Sequence, residues 1–289
     1  MANIRTTASL SEDGRFFIVN GSKKWITNAL WSDFVVAAVR TGAPDSGAAG
    51  LSALIIPLSA EGVTRRHLHN SGVSASGSTF IEFDEVKVPR ENLLGGEAGL
   101  GLGFRMVMSS MDLSRRRRDR SNVQTDFNHE RLVIAVQSLR LSRICFHDAY
   151  TYAQRRETFG KPLLSNQVIR FKLGNMSMLV ESIQAQIEVL LHHATVTPGA
   201  LDATMGGDFA RIKVHAARCL ELCVREAQQI FGGLGYSRGG RGGRVEQISR
   251  DVRVMVVGGG SDEILTDLAI KQAIAAEKIK QKRMSNTKL

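Results

Sequence analysis

The residues best placed to do chemistry gather in a few short strings. Gly258-Gly259-Gly260 stands directly ahead of Ser261-Asp262-Glu263. Three glycines at a helix start leave backbone N–H groups free beside the positive end of the helix dipole, a setting for an anion or the electron-rich edge of a cofactor. The same string also reads as a flexible turn with an N-cap. Glu130, in Phe127-Asn128-His129-Glu130-Arg131-Leu132-Val133, reads by itself as an acidic first-turn residue serving its own helix. Cys219 and Cys223 share a helical face at i, i+4 but lack the further ligands that a zinc site needs, so buried thiols are the better reading. With Cys145 they make an odd set without paired spacing, which argues for a reducing compartment.

Two arginine clusters supply much of the formal net charge of +10: Arg115 to Arg118 with Arg120, and Arg238-Gly-Gly-Arg241-Gly-Gly-Arg244. Such a charge suits a polyanionic partner, either a nucleic acid or a phosphate-rich small molecule. The second cluster resembles the Gly-Arg repeats of RNA-binding tails, yet it lies between helical segments and no aromatic residues interleave it. A structured loop is therefore expected, with no nucleic-acid partner.

The elements that must position these residues change character along the chain. Residues 5 to about 95 read as β structure. Ser11-Glu-Asp-Gly14 is a turn, Arg15 to Val19 a strand, and Asn20-Gly21 a tight-turn signal. Phe34 to Val39 and Leu51 to Ile56 are apolar runs, and Phe80 to Val88 alternates until Pro89. Strands at this spacing predict an antiparallel barrel or sandwich. From about residue 127 the period becomes helical, over Glu130 to Arg155, Val168 to Thr195 (broken by Pro198-Gly199), Asp208 to Phe231 (capped by Gly232-Gly233), and from Ser261 onward. Four long helices with short connections predict a bundle, so the fold class is α+β, a β domain followed by an α domain. Residues 110 to 126 are polar, charged and aperiodic, and read as a solvated loop. The expected division is a β domain over 1–100, a connection over 101–126, a helical domain over 127–285 and a short tail.

A hydrophobic content of 43% with 23% charged residues is that of an ordinary globular protein. No run approaches the length that spans a bilayer. The first residues have no apolar signal core, and one arginine makes a poor transit peptide.

Further strings then fall into an order of their own. Lys23-Lys24-Trp25-Ile26-Thr27-Asn28 and Asp84-Glu85-Val86-Lys87-Val88-Pro89 lie in the β half. Arg156-Glu157-Thr158-Phe159-Gly160-Lys161 with Gln167, Gln229-Ile230-Phe231-Gly232-Gly233-Leu234-Gly235-Tyr236, Arg250-Asp251 and Gly258 to Ile264 follow in the α half. Each string alone is weak. In this order, across nearly everything except residues 110–126, they resemble the acyl-CoA dehydrogenase family.

The resemblance implies FAD as cofactor and α,β-desaturation of an acyl-CoA thioester. A base removes the α proton while the β hydrogen passes as hydride to flavin N5. It implies that Trp25 packs against the isoalloxazine, with Ile26 beside it and the Thr27 hydroxyl near the reactive edge. Without the flanking motif, Trp25 would read as core packing and Thr27 as a strand filler. It implies that Arg156 holds the pyrophosphate, a task suited to a guanidinium fork. Thr158, Phe159, Gln167, Gln229 and Gly233 would extend the FAD contacts into a neighbouring subunit, so a homo-oligomer, dimer or tetramer, is implied. Ser261 and Glu263 join the cofactor set, and Arg131, Gly259 and Gly260 the substrate set; no metal is implied. Arg131 suits CoA phosphates or a neighbouring carboxylate. The electron acceptor is an electron-transfer flavoprotein or another acceptor.

In many family members one position of the glycine loop is the glutamate base, and here that position is Gly259. In the branch resembling the long-chain and isovaleryl enzymes the base is instead the Glu of a Glu-Arg-Leu string, which here is Glu130. Losing water to a bound acyl thioester strengthens a carboxylate as a base. Two departures from the family pattern stand out. The N-terminal helical domain is not represented, as in an N-terminally truncated member, and residues 110–126 are inserted, either as a tolerated loop or as a non-native segment. An acyl-CoA oxidase, or an impaired homologue that serves as a binding or oligomerisation remnant, are the alternatives. Thr287-Lys288-Leu289 is a weak relative of the peroxisomal Ser-Lys-Leu address, and mitochondrial and peroxisomal locations both stay open.

Overall fold

Apolar residues recur at alternate positions over the first hundred residues, and the burial follows them. Phe17 and Val19 point inward on one strand, and Ile81, Phe83, Val86 and Val88 on its neighbour. The computed structural model describes residues 4–109, 125–196 and 205–286. It divides the chain into two units, Met1–Arg118 and Asp119–Leu289.

The first unit is a six-stranded sheet made of β1 (Thr7–Leu10), β2 (Phe16–Ile26), β3 (Phe34–Arg40), β4 (Leu51–Pro57), β5 (Val63–His67) and β6 (Thr79–Pro89). The strand order is β4-β3-β1-β2-β6-β5. All pairings are antiparallel except the single parallel bridge between Thr7 and Arg40. Helix α1 (Gly103–Ser109) packs against β4 and β3. The core of this unit includes Val19, Val39, Leu54, Ile56, Ile81 and Val86, all fully buried. Each such side chain contributes about 1.5–3 kcal/mol.

The turn at Ser11–Gly14 is present, closed by the Ser11 N–H to Phe16 carbonyl bond at 2.8 Å. The turn expected at Asn20-Gly21 is not. β2 runs straight through it, because the Asn20 amide is spent across the sheet. It accepts from the Glu85 N–H at 2.9 Å and donates to the Glu85 carboxylate at 2.6 Å. Gly21 is needed for another reason: at φ +125 a Cβ there would stand 2.9 Å from the Thr6 Cα. Opposite it, β6 carries an extra residue at Glu85, with φ 50, which restarts the alternation between Phe83 and Val86.

The second unit holds α2 (Thr125–Arg155), a two-stranded hairpin of β7 (Glu157–Thr158) and β8 (Lys161–Pro162), α3 (Gln167–Val196), α4 (Gly206–Phe231), α5 (Gly243–Val257) and α6 (Asp262–Asn286). α4 is central and packs against α2, α3, α5 and α6. Its buried positions include Phe209, Ile212, Ala216, Leu220, Cys223, Ala227 and Ile230, the three-to-four spacing of a helix enclosed by neighbours. α5 is an element beyond the four helices expected from periodicity. α2 starts at Thr125, five residues ahead of Glu130. Residues 110–124, the Pro198-Gly199 break and Thr287-Lys288-Leu289 lie outside the described residues.

Among the described residues no helix is long and apolar enough to cross a membrane. All three cysteines are free and buried. Burial pushes the Cys145 thiol up to about 12. The Cys219 and Cys223 sulfurs lie 3.9 Å apart. No group of three His, Cys, Asp or Glu residues that would hold a metal ion occurs among the described residues. The arginine-glycine string at 238–244 is a structured turn leading into α5, and its Arg244 pairs with Asp148, Nε to Oδ2 at 2.8 Å.

Candidate functional site

Glu130 and Arg131 lie early in α2, and both are half-buried. The Arg131 Nε donates to the Gly259 carbonyl at 3.3 Å, and its Nη1 to the buried Asn128 Oδ1 at 3.3 Å. Burial pulls the Arg131 guanidinium below its usual range, while the Glu130 charge acts in the opposite sense. The helix carrying the candidate base is thus tied directly to the glycine loop.

Gly259 has φ +66 and Gly260 φ +115, conformations that an L side chain rarely adopts. A Cβ built on Gly259 would lie 2.9 Å from Ile134 Cδ1 and 3.7 Å from Arg131 Cγ. Ile134 is one helical turn beyond Glu130, so a side chain at 259 would be directed at the stretch of α2 surface that carries Glu130. At the start of α6, the backbone N–H of Glu263 and then the Ser261 hydroxyl bond to the Glu263 carboxylate and hold it below the usual range. These contacts are those of a helix cap, and Glu263 is exposed. Glu130, Arg131, Gly259, Gly260 and Ser261 therefore belong to one end of the helical unit.

A second group assembles at the other end. The C-terminal part of α2 meets that of α4 through Tyr152 and Phe231, whose rings stack with centroids 4.6 Å apart. Arg156 follows α2 and is exposed; its N–H bonds to Tyr152, and its carbonyl accepts from Leu163 at 2.6 Å, closing the hairpin. Phe159 and Gly160 turn this hairpin at φ 53 and 74, as a tight two-residue turn requires. Phe159 is fully exposed and held where a non-glycine residue is strained. Gln167 opens α3 as an exposed residue, and exposed Gln229 and Gly233 flank the end of α4 beside Phe231. From Arg131 to Tyr152 the helix rises roughly 30 Å. Arg156, Thr158, Phe159, Gln167, Gln229 and Gly233 are thus brought to one end, well away from Glu130.

Trp25, Ile26 and Thr27 lie on the sheet unit, at the end of β2. Between Lys23 and Ile26, β2 has one residue more than the facing part of β6. The bulge puts Trp25 at φ 64 and leaves it 63% exposed, with the Lys24 ammonium 4.8 Å from its ring. Core packing, the plain reading of Trp25, is therefore not what this residue does. Thr27 is exposed just beyond the strand, and Ile26 is half-buried. Bulges of this kind re-aim side chains and recur beside functional sites.

One residue of the first cluster was not among the candidates. Lys213 on α4 is completely buried, and its Nζ donates to the carbonyls of Val256 at 2.6 Å and Gly260 at 2.8 Å. A signal for it does exist in the sequence. Phe209, Ala210, Ala216, Ala217 and Leu220, at helical spacing around it, make Lys213 a lone cation on an apolar stripe.

Comparison with known proteins agrees with this architecture. Residues 1–86 match the family model for the acyl-CoA dehydrogenase middle domain, and residues 121–274 that for the acyl-CoA dehydrogenase C-terminal domain. An acyl-CoA dehydrogenase of Alternaria alternata is 46% identical over 275 residues, covering 94% of this chain and 58% of its own length. Another, from Emericella nidulans, is 41% identical over 291 residues, covering 100% of this chain and 62% of its own. Among solved structures, a probable acyl-CoA dehydrogenase of Mycobacterium abscessus superposes with a TM-score of 0.78 at 33% identity, over 94% of this chain and 64% of that one. The chain thus spans under two thirds of the length of these relatives. With its two domain matches in sequence order over the sheet and helical units, the chain belongs to the acyl-CoA dehydrogenase family.

Proposed function

We propose that this chain binds FAD and takes part in the α,β-dehydrogenation of an acyl-CoA thioester, with Glu130 as the base. The observation that carries the cofactor is the pair of aromatic side chains held out at strained backbone positions, Trp25 on its bulge and Phe159 on its hairpin. Exposed aromatic surface kept at a conformational cost fits a planar aromatic ligand better than it fits solvent. Bound FAD would supply the hydride acceptor at N5.

The chain's own residues divide the remaining work. Trp25 and Ile26 offer an apolar face to the isoalloxazine, and the Thr27 hydroxyl a hydrogen bond to its edge. Glu130 takes the proton from the α carbon, leaving the electron pair to form the double bond as the β hydrogen departs. Gly259 carries no side chain that can take a proton, so the loop orients and Glu130 abstracts, the base placement of the long-chain and isovaleryl branch. The Gly260 and Ser261 backbone, at the start of α6, offers N–H groups to the thioester carbonyl or the flavin edge. Arg131 is turned to the Gly259 carbonyl, so its first role is to hold the loop.

The two ends of the helical unit support an oligomer. Arg156, Thr158, Phe159, Gln167, Gln229 and Gly233 lie about 30 Å along α2 from the base cluster. They would serve the pyrophosphate and adenosine of FAD held by a second copy. The electrons would leave to an electron-transfer flavoprotein.

The experiment is anaerobic titration of the purified, FAD-loaded protein with a panel of acyl-CoAs. Loss of the flavin's visible absorbance with one class of acyl-CoA is the expected result. A protein that neither carries nor takes up FAD would overturn the proposal. Peroxide release during turnover without an added acceptor would reassign the activity to an oxidase.

A further inference from the structure

We propose that Lys213 is a positioning residue for the base, a buried cationic clamp that fixes the Gly258-Gly259-Gly260 loop against the start of α2; this rests on the function proposed above. The inference begins with an anomaly. Lys213 is one of the largest fully buried side chains among the described residues, and an unpaired ammonium costs several kcal/mol to bury. What offsets that cost is specific. One N–H goes to the carbonyl of Val256, in the last turn of α5, where carbonyls have no helical partner and a cation is favoured. Another goes to the carbonyl of Gly260, two residues before α6. A single side chain from α4 thus spans both sides of the glycine loop.

Arg131 grips the middle of the same loop, through the Gly259 carbonyl, from α2. The loop is therefore pinned at residues 256, 259 and 260 by two cations on two different helices. This explains how three consecutive glycines, which would otherwise sample many conformations, hold one geometry beside Glu130. The charges facing Lys213 come from two elements: Asp262 on α6, and Arg131 and Glu130 on α2. Burial pulls the Lys213 ammonium below its ordinary value, Asp262 opposes that, Arg131 adds to it and Glu130 opposes it. The Glu130 charge reaches Lys213, which places the clamp in the same cluster as the base. Lys213 touches neither substrate nor flavin in this scheme.

The test uses the FAD-loaded protein with Lys213→Met, which keeps the stem and removes the charge, and Lys213→Gln, which keeps an N–H donor. Two readouts are taken: amide hydrogen exchange over residues 257–263, and the limiting rate and half-saturating concentration of flavin reduction by acyl-CoA. In Lys213→Met, loop exchange should rise about tenfold or more while exchange in the middle of α4 and α2 stays put. The limiting rate should fall about 10- to 100-fold, with half-saturation changed less than about threefold. Lys213→Gln should fall between Met and wild type. Unchanged loop exchange, an unchanged rate in the folded variants, or global unfolding of both variants would each overturn the positioning role. A wild-type flavin that no acyl-CoA reduces would instead overturn the functional proposal, and the positioning role with it.

Discussion

The Nε of Arg131 donates to the carbonyl of Gly259 at 3.3 Å, joining the residue next to the candidate base on α2 to the loop position that faces it. The bond has a chemical consequence. A Cβ at 259 would point at Ile134, one turn along from Glu130, so positions 130 and 259 address one stretch of helix surface. A carboxylate from either position would work on the same side of α2. In this chain the loop has given up its side chain and Arg131 holds its carbonyl.

The loop's geometry disfavours a side chain at Gly259. At φ +66, Gly259→Ala adds backbone strain of roughly 1 kcal/mol, and places a Cβ 2.9 Å from Ile134 Cδ1, so the end of that side chain must shift. Chemical denaturation should show a loss of about 1–2 kcal/mol, read as a lower midpoint at unchanged slope. A variant as stable as wild type would show that the loop relaxes freely.

Lys23 links the stability of the sheet unit to pH. Its Nζ donates to the Ala38 carbonyl at 2.6 Å, yet burial pushes the ammonium down to about 8, from its ordinary 10.5. Below pH 8 both folded and unfolded chains carry the proton, and the folded state bears the full cost of the buried charge. Between pH 8 and 10.5 the unfolded chain binds more protons than the folded one, so stability rises with pH. Wild type should gain on the order of 2 kcal/mol over this window relative to Lys23→Met. Parallel pH profiles for the two proteins would contradict the assignment.

Phe159 separates stability from function. Phe159→Gly relieves a left-handed phenylalanine at a fully exposed position, and should leave stability unchanged or raise it by up to about 1 kcal/mol. The same change should lower FAD retention during gel filtration at least several-fold, because the ring is proposed to contact FAD held by a second copy. A gain in stability with full FAD retention would detach Phe159 from the cofactor.

Much of this arrangement was legible in the sequence. The change from period two to period 3.6 near residue 127 separates strands from helices, and the ordered motifs led to Glu130, Gly259, Arg156 and Trp25. What was missed depends on contacts distant in sequence. Asn20-Gly21 carries the local signature of a turn, but the Asn20 amide bonds to Glu85, 65 residues on, and the strand continues. α5 opens on Gly243 at the end of an arginine-glycine string, so its start lacks the usual capping signal, although Val245, Ile248 and Val256 lie on its buried face. Lys213 looks like any exposed helix lysine unless its apolar neighbours at three and four residues are weighed, and its partners are carbonyls more than 40 residues away. That Trp25 is exposed follows from a β-bulge, which depends on register with β6 and not on β2 alone.

The central claim concerns Glu130, and one comparison tests it most directly: anaerobic stopped-flow reduction of the bound flavin by a reactive acyl-CoA, in wild type and in Glu130→Gln. The amide keeps the size and one acceptor oxygen of the carboxylate but cannot accept the α proton at neutral pH. The account predicts that both proteins bind FAD and acyl-CoA alike, and that the flavin of Glu130→Gln is bleached at least about 100-fold more slowly. Bleaching at the wild-type rate in Glu130→Gln would contradict it.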